Sequence, residues 1–120
     1  DTGVWPDARA YDAPNVPLES WEVALAAHEA LAAFGWPELH ARATGMAAQF
    51  ADELHERGRT VLPRGETTLV TGELPEAEEL PTQLAEQGII IRNLPGTPYV
   101  RASIGAWNDE SDLERLLAAI

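Results

Sequence analysis

The spacing of apolar residues predicts two helices in the first half of the chain. The first helix is predicted over residues 18–34, because its apolar residues recur at three- and four-residue steps: Leu18, Trp21, Leu25 and Leu31. The second is predicted over residues 37–57, with a buried stripe of Leu39, Met46, Phe50 and Leu54. Proline near the start and glycine at the end of each segment are typical helix boundaries. We therefore expect a helical hairpin.

After Gly58 the pattern changes to short segments rich in β-branched and apolar residues. Candidate strands lie at residues 59–62 and 66–72, with a turn between them. A helix is predicted over residues 76–87, where Leu80 and Leu84 are four residues apart before Gly88. Two further strands are predicted at residues 89–92 and 99–104, joined by a connector rich in proline and glycine.

The C-terminal residues predict a capped helix that closes the domain. Asn108 or Asp109 suits the N-cap, and acidic residues fill the first turn, where the helix dipole favours them. Three leucines are expected to face inward: Leu113, Leu116 and Leu117. The predicted class is α+β, with a small antiparallel or mixed sheet of three to four strands covered mainly on one face by helices.

The predicted domain organisation is one small α+β domain at residues 17–120, preceded by an extended arm at residues 1–16. Prolines in the arm disfavour a helix, and Trp5 and Tyr11 suggest that it lies on an apolar surface. The chain begins at Asp1, and its only methionine is Met46. We interpret it as a trimmed, proteolysed or processed piece of a longer protein.

Charge and composition exclude several classes of function. The net charge is -12 and no basic cluster occurs, which argues against nucleic acid and anionic membranes as partners. The absence of cysteine excludes disulfides and thiolate chemistry. No stretch reaches the roughly 20 apolar residues of a membrane span, so the cytoplasm is the default location. All eight basic residues are arginine, and lysine is absent.

Arg101 is the residue whose position most suggests a ligand. It interrupts an apolar strand, where burying a charge without a counter-ion is costly. Its planar guanidinium suits bidentate binding of a carboxylate or phosphate. Alternatively, Arg101 pairs with one of the 20 acidic residues of its own chain. Arg92 is subject to the same choice, and the pattern alone leaves both alternatives open.

No self-sufficient active site is predicted. His28 and His55 are each followed by glutamate, but neither has a second histidine four residues later, so the helical zinc-protease motif is absent. The serines lack a nucleophile-elbow sequence, and the glycines form no phosphate-binding loop. We therefore predict no catalytic residue and no metal ligand in this chain.

The last third of the chain resembles the end of class V aminotransferase-like enzymes. The similar segments are GIIIR at residues 88–92, VRASI at 100–104 and WNDESDL at 107–113. The likeness extends back to the helix-Gly-helix segment at residues 24–42 and to YDAPN at 11–15. These are fold-type I pyridoxal-phosphate enzymes, which include cysteine desulfurases, isopenicillin-N epimerase-like proteins and the carbon-sulfur lyase of ergothioneine synthesis.

The resemblance implies that this chain is the small C-terminal domain of such an enzyme. Arg101 would hold the α-carboxylate of an amino-acid substrate, and Arg92, Asn93 and Asn15 would line the site. Pyridoxal 5'-phosphate would be bound mainly by a large domain or chain, in a homodimeric parent enzyme. Without lysine this chain cannot form the Schiff base, and it is expected to be inactive alone.

Two departures from the family pattern restrict the reaction. The Gly-Thr pair of the family element is missing between Ala13 and Pro14, so this chain lacks the residues with which the family often contacts the cofactor phosphate from the neighbouring subunit. The loop between Arg92 and Arg101 contains no cysteine to accept sulfur. A carbon-sulfur lyase, or an aminotransferase or epimerase relative, acting on an amino acid or its sulfur conjugate fits better than a desulfurase. The alternatives are a stand-alone binding module without catalysis and the small subunit of a split enzyme.

Overall fold

A computed structural model describes residues 17–120 of the chain. The predicted arm at residues 1–16, which includes Asn15, therefore lies outside the described residues. The chain forms two compact units, and the boundary between them falls between Trp36 and Pro37. The first contains helix α1 (Leu18–Ala32), and the second, Pro37–Ile120, contains the sheet and the core.

Helix α1 confirms the first predicted helix but has no buried face. None of its residues is buried, and the Trp21 side chain is 62% exposed. Its sequence is apolar on more than one side, since Val23 adds to the stripe that the spacing identified. Several large apolar side chains of the first unit are exposed: Leu18, Trp21, Val23, Leu25, Leu31, Phe34 and Trp36.

The second unit combines three helices with three short strands. In chain order its elements are α2 (Trp36–Glu56), β1 (Leu69–Glu73), α3 (Leu80–Ala85), β2 (Arg92–Asn93), β3 (Tyr99–Ser103) and α4 (Glu110–Ala118). The strands form one antiparallel sheet in the order β1-β3-β2. This arrangement confirms the α+β class and the small sheet.

Four predicted elements differ from the structure. The strand predicted at residues 66–72 is observed as Leu69–Glu73, so it begins three residues later. Residues 59–62 form only an isolated bridge, Val61 to Gly72, flanked by hydrogen bonds from the Leu62 N–H to the Thr71 carbonyl and from the Glu73 N–H to the Thr60 carbonyl. The helix predicted at residues 76–87 begins only at Leu80, because Glu76 has a left-handed φ of 53° and Pro81, which is tolerated in the first turn, has no N–H to bond an earlier turn. The strand predicted at residues 89–92 reduces to Arg92–Asn93, because the Ile89 N–H donates to the Leu84 carbonyl and closes α3 instead.

One hydrophobic core lies between the helices of the second unit and one face of the sheet. Helix α2 contributes Met46, Phe50 and Leu54 of its predicted stripe, while Leu39 is only half-buried. Helix α4 buries all three of its predicted leucines. The strands add three buried side chains: Val70, Val100 and Ala102. The sheet is thus covered on this face, which we call the core face.

The helix ends in this unit are fixed by local hydrogen bonds. Gly58 has a φ of 72°, and the Arg59 N–H donates to the Leu54 carbonyl beyond it, which satisfies the last turn of α2. Asp109 caps α4, its side chain accepting from the Asp112 N–H while the Asp112 side chain accepts from the Asp109 N–H. The Asp109 cap was one of the two predicted.

Candidate anion-binding site

Arg101 lies at the centre of β3, the middle strand of the sheet. Successive side chains of a strand point to opposite faces, and Val100 and Ala102 are buried in the core. Arg101 therefore lies on the other face, together with Tyr99 and Ser103. We call this second face, formed by alternate residues of the three strands, the outer face.

A row of three polar residues crosses the outer face at Arg101. Thr71 on β1 and Arg92 on β2 are the register partners of Arg101 on its two sides. Side chains directly opposite each other on antiparallel strands lie on the same face, with Cβ atoms about 5 Å apart. The register thus places two arginines and one threonine side by side on the same face, although the two arginines are nine positions apart in sequence.

The two arginines of this row differ from four others in their hydrogen bonding. Four guanidinium groups donate to backbone carbonyls: those of Arg42, Arg57, Arg64 and Arg115. Among the side-chain hydrogen bonds formed within residues 17–120, none uses the guanidinium group of Arg92 or Arg101 as donor, and the same is true of Arg59. Within this part of the chain, no hydrogen bond to a carboxylate supports the alternative in which Arg101 is paired internally.

The electrostatics of the row favour an anion. Like charges directly opposite on neighbouring strands destabilise a sheet, and a bound anion relieves that repulsion. Arg92 is exposed and Arg101 half-buried, so both can be reached from solvent. Glu73 lies on the same face but is opposite Tyr99, one row away from the arginines. The row can offer bidentate donors to a carboxylate or a phosphate-like group.

The other predicted site residues are placed differently. Asn93 follows Arg92 on β2 and is paired with Val100, so it belongs to the core face rather than to the arginine row. Asn15 lies outside the described residues. Within residues 17–120, no group of three or more His, Asp or Glu side chains is arranged to hold a metal ion.

This chain alone does not provide a complete binding site for pyridoxal phosphate. The cofactor aldehyde needs a lysine amine for its Schiff base, and the sequence contains none. The arginine row offers donors for a carboxylate, but it lacks any group to which the cofactor could be attached. Any pyridoxal phosphate would have to be held by another domain or chain.

Arg42 is a residue whose structural role the sequence did not indicate. Its Nε donates to the Ala106 carbonyl over 3.1 Å, and a terminal nitrogen donates to the Asn108 carbonyl over 2.9 Å. These bonds tie α2 to the loop that leads from β3 into α4. Asn108 adds a hydrogen bond from the Gly105 N–H to its Oδ1 over 2.9 Å. These hydrogen bonds fix the loop that follows the strand carrying Arg101.

Asp109 is the one residue of this loop with a clearly shifted pKa. The Ser111 hydroxyl donates to its carboxylate over 2.7 Å, and the Asp112 N–H donates over 3.0 Å. These donors stabilise the charged form, and the positive charge of Arg42 adds to the effect, so the pKa of Asp109 lies below its ordinary value. The residue acts as a helix cap with a negative charge.

Two surface depressions of the second unit lie away from the arginine row. One, of about 550 Å³, lies between α2 and the loop that contains Arg64 and Glu66. The other, of about 300 Å³, is lined by residues that include Arg59 and Glu73. Neither is lined by Arg92 or Arg101.

Comparisons with known proteins add no relative. No protein-family model matches the chain, and no curated protein is similar to it in sequence. Within residues 17–120, no helix is both long enough and apolar enough to cross a membrane. The candidate site therefore rests on the geometry of the sheet and on the resemblance of its motifs.

Proposed function

We propose that this chain is the substrate-binding C-terminal domain of a class V aminotransferase-like, pyridoxal-phosphate-dependent enzyme. The observation that carries the proposal is the position of Arg101 on the outer face of the central strand. It has no hydrogen-bonded acceptor within residues 17–120, and its register partner is a second arginine. The guanidinium would bind the α-carboxylate of an amino-acid substrate.

The substrate of the proposed enzyme is an amino acid or its sulfur conjugate, and its reaction is that of a carbon-sulfur lyase or of an aminotransferase or epimerase relative. The connector between Arg92 and Arg101 supports this choice over a desulfurase, because it has no cysteine. This chain would bind and orient the carboxylate. A lysine-bearing large domain or chain would hold the cofactor, which supplies the electron sink for the reaction.

The exposed apolar residues of α1 support a domain that works with a partner. A stand-alone binding module would be expected to bury its large apolar side chains. Instead, the described residues of the first unit, 17–36, expose seven of them, including Trp21 and Phe34. In the proposed enzyme these side chains would be covered by the large domain or by a second copy in a cytoplasmic homodimer.

The proposal is tested by measuring whether the chain recognises an amino-acid carboxylate through Arg101. The purified chain is titrated with S-methyl-L-cysteine and, separately, with its methyl ester, while the arginine Nε–Hε resonances are followed by NMR. The acid should shift the Arg101 resonance and the ester should not, because the ester has no carboxylate to accept two hydrogen bonds.

Two variants make this test specific. Arg101→Gln should weaken binding of the acid by roughly tenfold, the scale of a hydrogen bond to a charged group. Arg115→Gln removes the same charge from α4, where Arg115 donates to the Gln87 carbonyl, and should leave binding unchanged. Equal binding of acid and ester, or unchanged binding by Arg101→Gln, would refute the proposed role of Arg101.

A further inference from the structure

The pairing of Arg92 with Arg101 carries an inference about the kind of anion that the outer face binds. A single carboxylate needs one bidentate guanidinium, yet the sheet places two directly opposite each other. We propose that Arg92 provides a second anion contact, so that the site selects ligands with two acidic groups close together. This inference rests on the proposed function and names its substrate class: amino acids with an acidic group in the side chain or conjugate.

The geometry supports a contact shared between the two arginines. Neighbouring strands are about 4.8 Å apart, and both side chains leave the same face from directly opposed positions. Two flexible side chains with this spacing can converge on one doubly charged group or hold two groups a few bonds apart. Thr71, on the other side of Arg101, adds a hydroxyl to the same row.

The pairing of Arg92 with Arg101 contrasts with the strongly negative charge of the chain as a whole. The chain carries 20 acidic and 8 basic residues, so its overall field repels anions, and a dianion most of all. The outer face nevertheless places two of the eight arginines in register. A preference for dianions would therefore oppose the overall charge and would have to come from the local pair.

The inference is tested with two probes that differ only in the second charge. Succinate and butyrate have the same four-carbon chain, with two carboxylates and one carboxylate respectively. The full chain is titrated with each probe at low salt, and amide shifts on β2 and β3 are followed by NMR. Succinate should bind roughly fivefold more tightly than butyrate, the scale of one additional solvent-exposed ion pair.

Variants separate this inference from the proposed function. Arg92→Gln should reduce succinate affinity to that of butyrate and leave butyrate affinity unchanged, whereas Arg101→Gln should weaken both. Arg115→Gln, with the same charge change on α4, should keep the succinate preference. If the wild-type chain shows no preference, or if Arg92→Gln preserves it, the dianion inference is wrong even when Arg101 binds monoanions. If Arg101→Gln binds butyrate as tightly as wild type, the proposed function itself fails.

Discussion

The two faces of the sheet differ in chemistry although they are built from the same strands. On β3, Val100 and Ala102 lie in the core, while Arg101 between them lies on the outer face. On β1, Val70 is almost fully buried and Thr71, beside it, is the register partner of Arg101. The difference indicates that the core face supplies the stability of this unit, and that the outer face is available for a ligand.

The largest expected effect is on the free energy of unfolding, when the same leucine-to-alanine substitution is made in the core and on the outer face of the sheet. Leu54 is 1% exposed in the core, whereas Leu69 on the outer face of β1 is 39% exposed. Leu54→Ala should lower the free energy of unfolding by about 3 kcal/mol, because it removes buried methyl groups and leaves a cavity. Leu69→Ala should change it by less than about 1 kcal/mol.

Urea unfolding followed by circular dichroism measures both variants. The chain offers a second test of the core in Leu84, which is also 1% exposed, and Leu84→Ala should resemble Leu54→Ala. If Leu54→Ala and Leu69→Ala lowered the free energy of unfolding equally, the distinction between a core face and an outer face would be contradicted.

A smaller effect concerns Asp109, the cap of the helix that follows β3. Its pKa is lowered from the ordinary value of 3.8, so the folded state favours the charged carboxylate. The stabilisation is fully present well above pH 3.8 and is lost as the pH falls through that value towards the lower folded-state pKa. Wild type should therefore be more stable than Asp109→Asn near pH 6, and this difference should shrink by pH 3.

Urea midpoints at the two pH values provide the measurement. Asn is also a good N-cap, so the comparison with Asp109→Asn isolates the charge from the cap hydrogen bond. Asp109→Ala should be the least stable of the three proteins at pH 6, because it loses both. A difference between wild type and Asp109→Asn that does not change with pH would rule out the charge contribution.

The sequence predicted the helices of the second unit better than its short strands. Periodicity identified the buried residues of α2 and α4 because each helix presents one continuous apolar face. The helix predicted at residues 76–87 is longer than α3, because Pro81 cannot donate a helical hydrogen bond and suits only the first turn. The strand predicted at residues 59–62 was wrong because only one bridge to β1 forms there, and a β-branched segment does not by itself indicate how many residues will pair.

The candidate site was only partly predictable for a related reason. Alternation around Arg101 was visible in the sequence, since a charge between apolar neighbours indicates the face opposite the core. The pairing of Arg101 with Arg92 was not, because register depends on the turn between the strands. There the Thr97 N–H donates to the Leu94 carbonyl and the Leu94 N–H to the Tyr99 carbonyl, bonds that no local pattern specifies.

The most direct measurement compares Val100→Ala with Arg101→Gln, neighbours on β3, by both unfolding and ligand binding. Val100→Ala should lose about 2 kcal/mol of stability and still bind S-methyl-L-cysteine, because its side chain is buried in the core. Arg101→Gln should keep its stability within about 0.5 kcal/mol and lose binding. If Arg101→Gln instead unfolds as easily as Val100→Ala, or binds the amino acid as wild type does, Arg101 is a structural residue and not a ligand-binding one.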